Sequence, residues 1–223
     1  MHKDIGEDIY RGNLGYTMIS LFSSRINVLI IGAGKAALIK AKTFLSNGCN
    51  VSVVAKEINE AFYKLDSEKI TITKCEYNEK FLKNNHIVVI AIDDDIIIDN
   101  IKKSCKSLDK IYINCKNPKD GIAVLPMNIR SDEIFLGINT LRGNPKASKM
   151  LGTYILDELK EFDDFIKVTS IIRNNVKSIK NKKDELLDFI ISDDFRYIIN
   201  KKKEKLVLEL FYDKELVNKL FRD

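Results

Sequence analysis

Residues 29 to 42 read LIIGAGKAALIKAK: an apolar run ends in Gly32, passes through Gly34, and enters a small-residue, lysine-bearing segment that includes Ala37. The spacing suits phosphate. Gly32 allows a tight turn out of a strand, Gly34 lets a pyrophosphate approach the backbone, and Ala37 stands where a third glycine permits close packing of helix on strand. Gly34, Lys35 and Ala36 open that helix, where unpaired N–H groups and the positive dipole end face an anion. About twenty residues further on, an acid is expected for a ribose diol, but the chain offers Ala55, Lys56 and Glu57. Lys56 would meet a 2′-phosphate and favour NADP, whereas Glu57 would take the acid's role one residue late; both readings stay open. In AIDDD, Ala91, Asp93 and Asp94 close another strand at the carboxyl edge, where open α/β sheets place ligands. The two aspartates either bond a cofactor or cap the next helix.

The elements that must hold these residues follow from periodicity. NVLIIGAG is a continuous β-branched run, as expected of a parallel strand buried on both faces. Ala36, Ala37, Ile39, Ala41, Phe44 and Leu45 then recur at helical spacing until SNG, with Gly48 at the helix stop. NVSVVAK completes one βαβ unit. The alternation continues with a short helix around INEAFYKL, strand KITITKC, a polar connection, strand HIVVIAI, a helix from Asp95 to Ser107, and strand KIYINC. Five strands with intervening helices predict an α/β, Rossmann-type, mostly parallel sheet. After Asn117 the texture changes, with Pro118, Pro126 and EIFLGINT suggesting strands and turns outside the sheet. From Pro145 onward there is no further proline, and apolar spacings of three and four predict three to five helices. The organisation expected is a leader (1–15), a dinucleotide-binding domain (16–116), a central segment (117–147) and an all-helical domain (148–223).

Composition narrows the function classes. With 45% hydrophobic and 31% charged residues the 223-residue chain lies outside the disordered range. The net charge of +5 is dispersed, and acids nearly equal bases after Ser148, so no basic arm for nucleic acid is present. KNKK (180–183) and KKKEK (201–205) read as solvated helix faces, and the mild basic excess suits an acidic small molecule. Cys49, Cys75, Cys105 and Cys115 lack CxxC pairing and read as buried free thiols in a reducing, cytoplasmic compartment. His2 falls in the leader and His86 reads as structural, so no metal site is expected. No apolar run reaches the ~18 residues of a membrane span.

These motifs together resemble the precorrin-2 dehydrogenase (siroheme synthase) family. VLIIGAGKAALIKAKTFLSNGCNVSVVAKE is similar to that family's VLVVGGGxVAxRKAxxLLxxGAxVTVVAPE, and IVVIAIDDD to its LVIAATDD. Asn114 with Pro118 and Pro126 resembles its NVxDxPxxxxFxxP stretch, and GINTLRGNPKASKMLGTYILDELK its AISTGGxSPxLAxxLRxxLE. The resemblance spans residues 16 to 223. It implies NAD-dependent removal of hydrogen from precorrin-2 to give sirohydrochlorin, toward siroheme or cobalamin, with iron insertion as the weaker half of the expectation. It further implies a homodimer interlocked through the central segment, a helical domain that helps enclose the tetrapyrrole, and Asn114 and Asn144 as substrate residues.

The departures are specific. The family's acid before its first proline is Lys116 here, its Ser is Asn144, Arg142 replaces a glycine, and Ile92 and Ile39 stand for its Thr and Arg. Asp120 is the nearest downstream carboxylate, read either as the proton acceptor or as a turn residue in PKDG. Two function classes therefore remain beside the dehydrogenase: a non-catalytic relative that binds dinucleotide or tetrapyrrole, and a dinucleotide-sensing module. The helical last third speaks against the sensor. A short-chain dehydrogenase is disfavoured because Tyr154 is followed four residues later by Glu158 rather than lysine.

Overall fold

The computed structural model describes residues 15–176 and 183–222. Most of the leader (1–14) and residues 180–182 of the first basic run lie outside them. The chain divides into two units, one of Thr17–Leu125 and one that includes Pro126 onward.

The first unit is built on five parallel strands, β1 (Asn27–Ile31), β2 (Asn50–Ala55), β3 (Ile70–Lys74), β4 (Ile87–Ile90) and β5 (Ile111–Asn114), in the order β3-β2-β1-β4-β5. This is the doubly wound order, and its direction reverses between β1 and β4. Alternate residues of β1 enter different layers. Val28 and Ile30 pack with Ala37, Ala41, Phe44, Val51 and Val53 on one face, and Leu29 and Ile31 with Val88, Ile90, Ile98 and Ile101 on the other. A strand covered on both faces has no position for a polar side chain, which is why the run is unbroken.

Helix α1 (Lys35–Ser46) buries Ala37, Ala41 and Phe44. It ends in a Schellman closure: Cys49 N–H donates to the Phe44 carbonyl at 3.0 Å and Gly48 N–H to that of Leu45 at 2.9 Å. Gly48 has φ +91°, a left-handed geometry suited to glycine. Helix α2 (Asp95–Ser107) buries Ile98, Ile101 and Cys105 at the expected spacing.

The expected helix around INEAFYKL is a single 3₁₀ turn, Glu60–Phe62, and the polar connection before β4 contains another, Glu79–Leu82. Both start from the same pattern, Asn-Glu-x-Phe, and in both the asparagine side chain accepts from the N–H two residues on, Ala61 or Lys80. Each turn buries one side chain, Phe62 or Leu82. A single anchoring residue gives no apolar stripe to extend either turn into a helix.

The second unit opens with an antiparallel hairpin, β6 (Met127–Arg130) and β7 (Phe135–Ile138). The helices are α3 (Pro145–Lys160), α4 (Asp163–Asn175), α5 (Lys183–Ile190), α6 (Asp193–Asn200), α7 (Glu204–Leu208) and α8 (Lys214–Leu220). Among the described residues that is six, against the three to five expected. The excess has a local cause: Ser192 and Asp213 accept from the N–H groups of Phe195 and Leu216 and start new helices without a proline or glycine to signal the break. Ile172, Leu186, Ile190, Phe195, Leu208 and Val217 form the core of this unit.

Asp163 ties the hairpin to α4. Its carboxylate accepts from Ser131 Oγ at 2.7 Å and from the N–H groups of Glu133 at 3.0 Å and Asp132 at 3.2 Å. The Ser131 hydroxyl bond, followed by the two N–H bonds, holds its pKa below the ordinary carboxylate value of 3.8. A depressed pKa contributes stability above the ordinary value, and that contribution is lost as pH falls through the folded value. Asp163→Asn is therefore expected to melt below wild type at neutral pH, with the difference narrowing in calorimetric scans at acid pH, below the ordinary value of 3.8. An equal difference at both pH values would remove the charge from this account.

Candidate functional site

The five strands end on one edge, and the connections after β1, β2, β4 and β5 carry the marked residues of the first unit. Gly32 leaves β1 with φ +101°, and its N–H donates to the Val54 carbonyl of β2 at 2.9 Å. A Cβ at this position would lie 2.2 Å from the Ala91 carbonyl oxygen. Ala91 in turn donates to the Ile31 carbonyl at 2.8 Å. The loops after β1 and β4 thus touch backbone to backbone at the point where strand order reverses.

Gly34 behaves differently. It is the N-cap of α1 with extended backbone, φ −84° and ψ −168°, and no side chain caps the helix. A Cβ there would meet nothing within 4 Å. Neither conformation nor packing accounts for this glycine. Gly34, Lys35 and Ala36 are exposed while Ala37 is fully buried, so the helix presents its first N–H groups in open space.

Lys56 and Glu57 follow β2 and are exposed. The Asn59 N–H donates to the Ala33 carbonyl at 3.3 Å, and the Cys75 N–H, just past β3, to Ala55 at 3.0 Å. These bonds set the ends of β2 and β3 beside the glycine loop. Lys56 Nζ pairs with Glu76 at 3.0 Å. Past β4, Asp94 caps α2, its Oδ1 accepting from the Ile97 N–H at 3.0 Å. Asp93 is exposed, and its main-chain carbonyl accepts from Lys116 Nζ at 2.9 Å.

At the end of β5, Asn114 is 2% exposed, and its Oδ1 accepts from the N–H groups of Lys116 at 3.0 Å and Asn117 at 3.3 Å, which turns the chain. Lys116 also pairs with Asp95 at 2.6 Å; it thereby clasps the connection after β4 to the one after β5. Asp120, in the 3₁₀ turn Pro118–Asp120, is ion-paired with Lys102 of α2. Asp120 first and Asp99 second raise the Lys102 pKa above its ordinary value. Asn144 belongs to the second unit, where its Oδ1 caps α3 by accepting from the Ala147 N–H at 3.1 Å.

Sequence reasoning missed Glu76, Lys102 and Asp95, the partners of Lys56, Asp120 and Lys116. Glu76 had a usable signal, since it follows a strand at the same edge as Lys56. Burial raises the Cys49 and Cys115 thiols and pushes Cys105 up to about 11, so all three are protonated at neutral pH and poor nucleophiles. His86 accepts at Nδ1 from the Asn27 N–H at 3.0 Å, at the opposite end of the strands. No cluster of His, Cys, Asp or Glu among the described residues could hold a metal ion.

A parallel sheet with this strand order and an uncapped, glycine-opened helix after its central strand define a dinucleotide-binding protein of the Rossmann class. Residues 19–127 match the NAD_binding_7 family, described as "Putative NAD(P)-binding". The chain is 24% identical over 196 residues to the precorrin-2 dehydrogenase of Priestia megaterium, covering 86% of this chain and 96% of that one. It is 24% identical over 143 residues to the precorrin-2 dehydrogenase of Bacillus subtilis (strain 168), covering 61% and 83%. The solved structure of SirC, precorrin-2 dehydrogenase, has the same fold, with a TM-score of 0.67 at 22% identity over 88% of this chain and all of that one. The chain is thus similar in sequence and in fold to precorrin-2 dehydrogenases.

Proposed function

We propose that this chain oxidises precorrin-2 to sirohydrochlorin with NAD, in siroheme or cobalamin synthesis, as a cytoplasmic homodimer. The observation that carries the reading is Gly34: a position with room for a side chain and no internal need of glycine, beside uncapped helix N–H groups. A pyrophosphate in that space accounts for both features. A bound nicotinamide would supply the hydride acceptor for this oxidation, the second hydrogen of the substrate leaving as a proton.

The chain's own residues position these parts. Backbone N–H groups from Gly34 to Ala36 would hold the pyrophosphate, and Ala91 and Asp93, on the connection after β4, would border the bound cofactor. Lys116, held by Asp95, fixes the connection that carries Asp93 and is a positioning residue. In this reading Asn114 acts through the turn it forms, and Asn144 meets the substrate. Asp120 ties its turn to α2 through its ion pair with Lys102 rather than taking the proton.

The test is to incubate the purified protein with precorrin-2 and NAD and follow sirohydrochlorin absorbance. Turnover is expected, and Asp120→Ala is expected to retain it within about threefold, against the roughly 100-fold loss of a general base. No conversion, with dinucleotide still bound, would favour the non-catalytic relative, which the lysine at position 116 would then explain.

A further inference from the structure

The edge that carries Lys56 has a second feature, just past β3. Glu76 reaches Lys56 from beyond the neighbouring strand, and Glu57 stands next to Lys56 in sequence. The bonds Gly32 to Val54, Asn59 to Ala33 and Cys75 to Ala55 place this group beside the glycine loop, where the adenosine ribose of a dinucleotide lies in this fold. A 2′-phosphate arriving there carries close to two negative charges and needs an uncommitted cation. Lys56 is committed to Glu76, and Glu57 adds a further carboxylate.

Resting on the dinucleotide reading above, we infer that Glu76 sets cofactor preference. By occupying Lys56 it ties up the ammonium that follows β2, so the site takes NAD and disfavours NADP. The pair itself is exposed, with side chains 67% and 78% accessible, and such a pair adds little to stability. Its effect is on the charge that an incoming phosphate meets. Lys74, the last residue of β3 and register partner of Ala55, is a second cation of this edge. It makes no ion pair among the described residues and serves as the control.

Calorimetric titration with NAD and with NADP separates this inference from the dehydrogenase reading, since it needs no tetrapyrrole. Wild type is expected to bind NAD at least about tenfold more tightly than NADP. Glu76→Gln narrows the gap by roughly five- to tenfold through tighter NADP binding, and added salt weakens that gain. Combining Lys56→Ala with Glu76→Gln abolishes the gain, whereas combining Lys74→Ala with Glu76→Gln keeps it. Equal or better NADP binding by wild type overturns the inference, as does a gap unmoved by Glu76→Gln or a gain that depends on Lys74. Absence of heat with both dinucleotides overturns it together with the cofactor site. Discrimination as described in a protein that does not turn over precorrin-2 supports it and removes only the dehydrogenase.

Discussion

Gly32→Ala is expected to cost the first unit about 4 kcal/mol, enough to leave a marginal domain largely unfolded at 37 °C. Two contributions add. An L-residue in the left-handed half of conformational space costs about 1–2 kcal/mol, and φ here is +101°. A Cβ 2.2 Å from the Ala91 carbonyl forces two backbones apart, an overpacking cost of roughly 1–3 kcal/mol. Neither can relax cheaply, because Gly32 is bonded to Val54 and Ala91 to Ile31, pinning both loops to the central strands. Thermal melts followed by circular dichroism measure the effect, and a drop of only one or two degrees would mean the loops part more easily than this geometry allows.

Gly34→Ala, two residues away, is expected to do the opposite: leave the melting temperature within a degree or two and weaken NAD binding by about 30-fold. An alanine fits φ −84° and ψ −168° without strain and touches nothing within 4 Å. The gain from a stiffer unfolded chain and the poorer capping by alanine are each below about 1 kcal/mol and opposed. On the dinucleotide reading the methyl group would stand where a pyrophosphate reaches the helix N–H groups, and loss of one hydrogen bond to a charged group costs about 2 kcal/mol. Calorimetry of NAD binding beside a melt of the same sample decides it. Affinity equal to wild type would show that no phosphate approaches this backbone.

Much of the first unit was legible because its signals are local. The unbroken β-branched runs mark doubly covered strands, and a helix was expected from about Asp95 to Ser107, where α2 lies. The two Asn-Glu-x-Phe turns were not legible, since a residue that anchors one turn and a residue that starts a helix look alike over four positions. The second unit's short helices escaped for the reverse reason: apolar periodicity runs on across Ser192 and Asp213, and only cap hydrogen bonds reveal the restart. At the site, Gly32 and Gly34 could be picked out together, but one is demanded by the chain itself and the other is not. That difference depends on Ala91, about sixty residues away, and so lies beyond any local pattern. The same holds for Lys56, Lys116 and Asp120, whose partners Glu76, Asp95 and Lys102 are brought to them by strand order.

The strand order also governs how the polypeptide can be assembled during its synthesis. β1 is made first and lies in the middle of the sheet; Val28 pairs with Ile87 of β4, about sixty residues downstream. While translation proceeds, β1, β2 and β3 can join, but the far side of β1 stays an open, wholly apolar β-edge until β4 and β5 emerge. Loop closure over such distances is slow, and an open edge of this kind invites pairing with other chains. A chain stalled shortly after Lys74 is therefore the aggregation-prone species, and a holdase shielding that edge would raise the yield of soluble protein.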